Sequence, residues 1–476
     1  MTYHTINEQD TAYFRSRLGN GKVFVKDAVN EVYSHDEMTE YGRYAPDLLI
    51  LAESAQDVQT VMRYCDENRI AVTPRGAGTG LCGGSVALHG GVVLSLERMN
   101  HILEIDEQTM TAVVEPGVRL MELAAEADRH GLLYAPDPGE KSASLGGNVM
   151  TNAGGMRAVR YGVTRDYVRG IEAVLPTGEL VQFGGRLAKN SSGYSLKDLV
   201  IGSEGTLCVV TKLYLKLLAK PHKMISLLIP FNDLKCCLDC VPGILALPNQ
   251  PTTLEFCEKE VIADSTEYLG KNFPSQEYPA YLIVSYSGAN KALIEQQYQQ
   301  TCQYVLDHGA VDVLISDTAE RQESIWNARG AFLEAIKNST TTMDECDVVV
   351  PIDRIYEYMQ FVKAMAEKYH VRIRTFGHAG DGNLHVYVCK DDIPDAQWPE
   401  LVRDVMQELY WEAGRLNGLT SGEHGIGHAK KEYLRQALGG KQLALMQGIK
   451  RVFDPHLILN PGKVIDVEQG DSDIID

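Results

Sequence analysis

The chain has 476 residues, 44% of them hydrophobic, and a formal net charge of −19. That length predicts roughly two to four domains with ample core, and the charge excludes polyanionic partners such as nucleic acid or an anionic membrane. No apolar run approaches the roughly 20 residues that span a bilayer. The N-terminus, MTYHTINEQD, lacks the basic and apolar regions of a secretory signal, so the expected location is the cytoplasm. Ten cysteines form no regular framework. Cys65, Cys208 and Cys389 sit in apolar segments as buried thiols. Cys236, Cys237 and Cys240 cluster, but no second Cys-x-x-Cys completes a metal or iron–sulfur site, which leaves a cysteine-rich helix face.

In chain order, residues 1–45 are a polar lead-in with a short helix. Ser54-Ala-Gln-Asp57 resembles a capping box, and Val58, Val61, Met62 and Cys65 follow at helical spacing. Ile70–Thr73 reads as a strand running into Pro74–Ser85, PRGAGTGLCGGS, and Gly90–Leu96 as the strand that returns. A dinucleotide fingerprint requires strand, G-x-G-x-x-G, helix. Here Gly76, Gly78 and Gly80 are followed by Leu81, and the stretch from Leu81 to Gly91 has no room for a crossover helix. A Rossmann unit is therefore rejected. Five glycines in the nine residues from Gly76 to Gly84, beside Arg75 and flanked by Ala77, Thr79 and Ser85, still predict a loop whose N–H groups can cradle phosphate.

Thr111–Glu115 reads as a strand and Arg119–His130 as a helix. A second small-residue segment follows, from Pro136 through Pro138, Ser142, Gly146 and Gly147 to Asn148, then Thr151–Gly155. Small residues permit the close backbone approach that a flat ring system and a pyrophosphate need. Asn148 and Asn152 offer amides to ring edges. A hairpin, Gly170–Leu175 and Leu180–Phe183, and a strand ending at Leu217 close an α+β domain near Pro221. Beyond it, strands at Ile225–Phe231, Thr253–Glu258, Ala280–Ser287 and Val311–Ser316 alternate with helices at Leu234–Leu247 and Lys291–His308. That order predicts a ferredoxin-like antiparallel sheet, with a doubled one as an alternative. One long helix is expected over Ala319–Asn338, then a strand at Asp347–Pro351 and helices at Arg354–His370, Pro399–Leu416 and Lys441–Val452.

Thr375–Val388, TFGHAGDGNLHVYV, reads as a hairpin with an Asp-Gly turn. It sets His378 and His385 where they can converge on one ion. Ser421–His428, SGEHGIGH, adds Glu423 and His424. Two histidines and one glutamate are a recurrent catalytic metal set with an open coordination position. Zinc suits these N and O donors best, while iron and manganese remain alternatives. His424 reads as a general base or as a support for the metal, and His428 as structural. Arg329 reads as a surface charge or as a clamp for a carboxylate.

Taken together, PRGAGTGLCGGS, PDPGEKSASLGGNVMTNAGG, GYSLKDLVIGSEGTL and the HAGDGNLH, SGEHGIG and FDPHLILNPGKV set resemble the FAD-linked D-2-hydroxy-acid oxidoreductases, the class of the glycolate oxidase catalytic subunit and the D-lactate dehydrogenases. The resemblance spans about Tyr41 to Val464. It implies an α+β chain with a lead-in (1–40), a vanillyl-alcohol-oxidase-type FAD-binding domain (41–221), a ferredoxin-like substrate or cap domain carrying the metal site (222–467), and an acidic tail (468–476). It also implies oxidation of a D-2-hydroxy acid, D-lactate foremost, with hydride passing from C2 to flavin N5. Arg329 would hold the carboxylate, His424 would act as base, and the Glu204-Gly205 turn and Asn460 would lie at the flavin. Trp326–Lys337 and Met343–Pro351 resemble most the D-lactate dehydrogenases of anaerobes that pass electrons to an electron-transfer flavoprotein. Some relatives attach FAD through a histidine in the first glycine loop. Thr79 stands at that position here, so non-covalent FAD is expected. Alternatives are glycolate or another D-2-hydroxy acid with a different acceptor, and a non-catalytic flavin electron-transfer subunit.

Overall fold

The structure, a computed structural model, describes residues 2–467; the acidic tail expected at 468–476 lies outside the described residues. In the first domain, the helix Ala55–Asn68 begins at Ser54, whose Oγ accepts Asp57 N–H at 3.2 Å. The capping box is not reciprocal: the Asp57 carboxylate accepts Glu53 N–H and pairs with Lys22 instead. Leu48–Leu51 and Val72–Arg75 both pair in parallel with Val92–Ser95. The second of these pairings has no helix in its connection. Parallel strands usually need a helical crossover, yet residues 76–91 make this one as glycine-rich loop alone. A second, antiparallel sheet runs in the order Ile102–Asp106, Thr111–Val114, Val209–Lys216, Val168–Val174, Leu180–Gly184.

The second domain holds a seven-stranded antiparallel sheet. Its strands, numbered within the domain, are β1 (Lys223–Phe231), β2 (Thr253–Glu258), β3 (Ala280–Gly288), β4 (Leu314–Ser316), β5 (Met343–Val349), β6 (Arg372–His378) and β7 (Asn383–Cys389). Their spatial order is β4-β1-β3-β2-β6-β7-β5. The first four form one ferredoxin-like half. The last three repeat its order from the far edge, which shows the doubling. The two halves meet where β2 and β6 pair through Phe256↔Gly377 and Cys257↔Phe376. The repeat's fourth strand is reduced to one antiparallel bridge, Val349↔Leu419, and the chain beyond Leu419 becomes the Ser421–His428 loop.

Strand alternation then divides the side chains. Leu227, Ile229, Leu254, Phe256, Val348 and Val386 pack on one face under the helices Leu234–Ala246, Lys291–Asp307, Ile355–Tyr369 and Trp398–Arg415. The opposite face carries Glu255, Phe376, His378, His385, Glu345 and Asp347. The register makes this so: Asp347 faces His385, and Phe376 faces His385 on its other side. The helix expected over 319–338 is two, Ala319–Gly330 and Phe332–Asn338, broken at Ala331. Cys237 and Cys240 are buried core thiols of the helix Leu234–Ala246, and burial pushes Cys240 up to about 12. The C-terminal segment does not stay with the second domain. Ile458 and Leu459 enter the core of the first, and Leu459 bridges Val72 in parallel.

Candidate active site

A cavity of about 710 Å³ runs between the domains, within the size range of small-molecule and cofactor sites. The first domain lines it with Arg75, Gly76, Ala77, Gly78, Thr79, Gly80, Gly84, Ser85, Pro138, Gly146, Gly147, Asn148, Glu204 and Gly205, all named above as candidate flavin contacts. At the other end stand Trp326, Arg329, Phe376, His378, His385, Tyr387, Glu423 and His424.

Four expected flavin contacts lie off this wall. Asn152 is the left-handed C-cap of the helix Leu145–Thr151, and its Oδ1 accepts Arg165 N–H at 2.9 Å. Gly155 gives room to the Asp137 carbonyl, where a Cβ would come within 2.2 Å. Ser142 accepts Arg119 Nη1 at its carbonyl. Asn460 donates from Nδ2 to the carbonyls of Gly84 and Glu204 and so shapes the site from behind. Arg75 lines the cavity, but its guanidinium is engaged by the Ser85 hydroxyl and the Val32 carbonyl. Its role is to brace the loop rather than to receive phosphate. Ser144, which the sequence reading passed over, joins the two glycine segments: its Oγ accepts the N–H of both Ala77 and Gly147.

At the far end, His378 Nε2 and His385 Nε2 each lie 3.3 Å from Glu423 Oε1. The three donor atoms lie within 4.8 Å of one another. Each ring is oriented from its other nitrogen. His378 Nδ1 is 2.8 Å from Glu255 Oε1, and His385 Nδ1 is 3.2 Å from Glu345 Oε1. Carboxylates behind histidines in this way fix the tautomer and raise ligand basicity. The alternating polar residues of Thr253–Glu258 and Met343–Val349, strands buried on both faces, were the available sign of Glu255, Glu345 and Asp347. Asp347 Oδ2 accepts the N–H groups of Gly422, Glu423 and His424 at 3.0, 3.1 and 3.0 Å, which folds the loop onto the sheet.

The electrostatics are those of a crowded, dry acid cluster. Burial pushes Glu423 up, but His378 and His385 hold it well below the usual carboxylate range. Burial likewise opposes the charged form of His378, yet Glu255 and Glu423 hold that ring well above the usual imidazole range. His424, disfavoured as a cation by burial, is pushed up to about 9 by Glu345 and Asp347. Its Nδ1 is 3.2 Å from Glu345 Oε2 and its Nε2 3.8 Å from Glu423 Oε1. Glu423 Oε2 is buried without a hydrogen-bond partner, and so is Asn148 Nδ2 in the first domain. Both are the kind of group that a bound cation and a bound ligand would satisfy. The donor set at Glu423 thus fits a divalent metal, and the wall around Asn148 fits a flavin. The second grouping able to hold an ion, Glu345, His385 and His424, shares His385 with the first and supplies its orienting contacts. His428, 2.3 Å from where a Gly83 Cβ would stand, is a packing residue.

Arg329 is buried, and its Nε and Nη2 donate to Glu255 Oε2 at 2.9 and 2.6 Å. It is therefore no surface charge. A clamp built on the Nε–Nη2 edge is ruled out, and only the opposite edge is open to a ligand.

The family described as FAD linked oxidases, C-terminal domain, matches residues 220–464, and the FAD binding domain matches residues 46–184. The chain is 47% identical over 448 residues to the D-lactate dehydrogenase of Anaerostipes hadrus, covering 93% of this chain and 94% of that one. It is 37% identical over 434 residues to the glycolate oxidase subunit GlcD of Bacillus subtilis (strain 168), covering 91% and 92%. Among solved structures, p-cresol methylhydroxylase with substrate bound superposes with a TM-score of 0.79 at 18% identity, covering 98% of this chain and 99% of that one. This last likeness shows the fold, a vanillyl-alcohol-oxidase-type flavin domain followed by a cap.

Proposed function

This chain belongs to the FAD-linked oxidases, and from that premise we propose that it oxidises D-2-hydroxy acids, D-lactate to pyruvate foremost, with FAD and one divalent metal. The observation that carries the proposal is the convergence of His378 and His385 on Glu423 at 3.3 Å, at the end of a cavity whose other end is the flavin wall. FAD, held by the Gly76–Gly80 loop, Gly146–Asn148 and Thr79, supplies a two-electron acceptor, and a metal on His378, His385 and Glu423, zinc before iron or manganese, supplies Lewis acidity.

The chain's own groups do the rest. Arg329 receives the substrate carboxylate on the guanidinium edge that Glu255 leaves open, because guanidinium and carboxylate match in shape and charge. The hydroxyl proton passes to His424 Nε2, with the Glu345 carboxylate 3.2 Å from Nδ1 as counter-charge to the protonated ring. Acceptance there requires the neutral ring. The acid cluster alone favours the cation; a metal held at Glu423 would favour the neutral ring. Trp326, Phe376 and Tyr387 close the wall around Arg329 and keep water away from the reacting carbon. A separate electron-transfer flavoprotein is the proposed acceptor of the electrons.

The experiment is anaerobic mixing of the purified yellow protein with D-lactate, L-lactate and glycolate, with metal analysis of the same sample. D-lactate should bleach the flavin and L-lactate should not. No bleaching by any 2-hydroxy acid would sink the reading. Reoxidation by an added electron-transfer flavoprotein, faster than by oxygen, tests the partner.

A further inference from the structure

The Ser421–His428 loop has no regular secondary structure, yet each N–H from Gly422 to Gly427 meets a side-chain oxygen. Asp347 takes the first three, and Ser421 Oγ takes Gly425 at 3.0 Å. Ile426 and Gly427 donate to Glu204 Oε1 and Oε2, each at 2.7 Å. Asp347 belongs to the cap sheet, whereas Glu204 belongs to the flavin domain. One loop, holding Glu423 and His424, is therefore cast by two carboxylates from different domains, Asp347 buried and Glu204 half-buried.

Glu204 itself is held in an unusual state. Its φ is +52°, between Gly202 at +81° and Gly205 at +67°. That region strains any residue with a Cβ, and glycine would relieve it. What a glutamate adds there is the carboxylate. Asn460 fixes the turn by donating to the Glu204 carbonyl at 2.8 Å. The loop also lies hard against the first glycine loop. A Cβ on Gly427 would stand 1.8 Å from the Cys82 carbonyl oxygen, and that oxygen accepts the N–H groups of His428 and Ala429.

We infer that Glu204 is an interdomain positioning residue: its two oxygens set the Ile426–Gly427 backbone, and through it the placement of Glu423 and His424 at the end of the cavity. Asp347 alone holds only the first half of the loop, which can pivot at Gly425, where φ is +84°. Docking of the flavin domain completes the placement, so the catalytic loop is formed where a flavin is present to receive electrons. The inference rests on the roles given to Glu423 and His424 under the proposed function.

The test uses the full-length, FAD-loaded protein. Glu204→Gln keeps the size of the side chain but turns an amide N–H₂ toward one of the two backbone donors. Hydrogen exchange in the peptide spanning 421–428 should accelerate about tenfold or more, as expected for loss of a buried, charge-assisted hydrogen bond. Flavin content is measured on the same sample, and both signals are expressed per bound FAD. The kcat for flavin bleaching should fall by about tenfold or more while KM moves little. Glu204→Asp, which restores two acceptors one methylene short, should recover part of both signals. Glu204→Gly removes the carboxylate while relieving the backbone, and so serves as the variant safest for folding. Exchange over 421–428 at the parental rate in both Glu204→Gln and Glu204→Gly would overturn the inference, and so would flavin loss with unchanged exchange. If the parent bleaches with no 2-hydroxy acid, the functional reading fails, while the exchange result still decides the role of Glu204.

Discussion

Arg329 gives the Nε–Nη2 edge of its guanidinium to one oxygen of Glu255, at 2.9 and 2.6 Å. The same carboxylate sits 2.8 Å from His378 Nδ1. The group expected to meet the substrate and a group expected to meet the metal therefore share one counter-ion. Burial pushes Glu255 up, but His378 and Arg329 hold it below the usual carboxylate range.

Glu255→Gln breaks this buried pair and leaves Arg329 without its charge partner. The expected loss of stability is about 3 kcal/mol, read as a shift in the urea midpoint at constant m-value. Metal affinity should drop by about tenfold or more because His378 loses its orienting anion. A midpoint within error of the parent would mean that the pair contributes little.

His385→Ala removes one of two imidazoles converging on Glu423. Substrate-driven bleaching should disappear, metal content should fall, and the flavin spectrum should stay. Release of flavin instead would show that His385 supports the flavin wall, which its place on the cap sheet argues against.

Asn148→Leu tests the flavin wall through opposite signs. Asn148 Nδ2 is buried without a partner, and an unpaired buried donor costs about 1–3 kcal/mol. The substitution should raise the thermal midpoint of the flavin-free protein and weaken FAD binding by about tenfold. Fluorescence titration and thermal unfolding of the same preparation decide it. If both properties fall together, Asn148 is simply a packing residue.

Thr79 offers no ring nitrogen for attachment, and it lines the cavity. Trichloroacetic acid should leave the yellow colour in the supernatant, whereas colour in the pellet would contradict non-covalent FAD.

His428 gives a pH signature. Burial, with Lys463 and Lys431 beside it, lowers the ring from 6.5 to about 4. The folded state thus binds fewer protons than the unfolded chain between those values, so this residue's contribution is present above pH 6.5 and is lost as pH falls toward 4. Glutamine at this position removes the titration. The difference in denaturant midpoint between His428→Gln and the parent should shift in the variant's favour from pH 7 to pH 4. A constant difference across that range counts against the buried neutral ring.

Much of this was legible in the sequence because it is local. The Thr375–Val388 hairpin places both histidines on one face through a turn and a two-residue alternation. The glycine segments announce themselves by composition, and the β-α-β rhythm of residues 225–316 declares the sheet. What escaped was set by chain distance. Glu255 reaches Arg329 across 74 residues and His378 across 123, and Asp347 reaches the Gly422–His424 backbone across 75 to 77. No periodicity reports such pairings. The break at Ala331 had a local sign, the poor helix former Gly330 just before it, which the reading of one long helix passed over. The absence of a helix between Leu81 and Gly91 was legible from spacing, whereas the parallel sense of the Val72–Arg75 and Val92–Ser95 pair was not.

The reduction of the repeat's fourth strand to one bridge, Val349↔Leu419, separates two kinds of design in the cap. All seven strands of the sheet are committed to a shared ladder, where a one-residue slip would reverse every side chain. The segment after Leu419 is released from that ladder and answers instead to the Asp347 and Glu204 carboxylates and the Cys82 carbonyl. Its placement is therefore specified separately from sheet register: a change in one of these anchors moves Glu423 and His424 while the strands that carry the two other histidines keep their pairing.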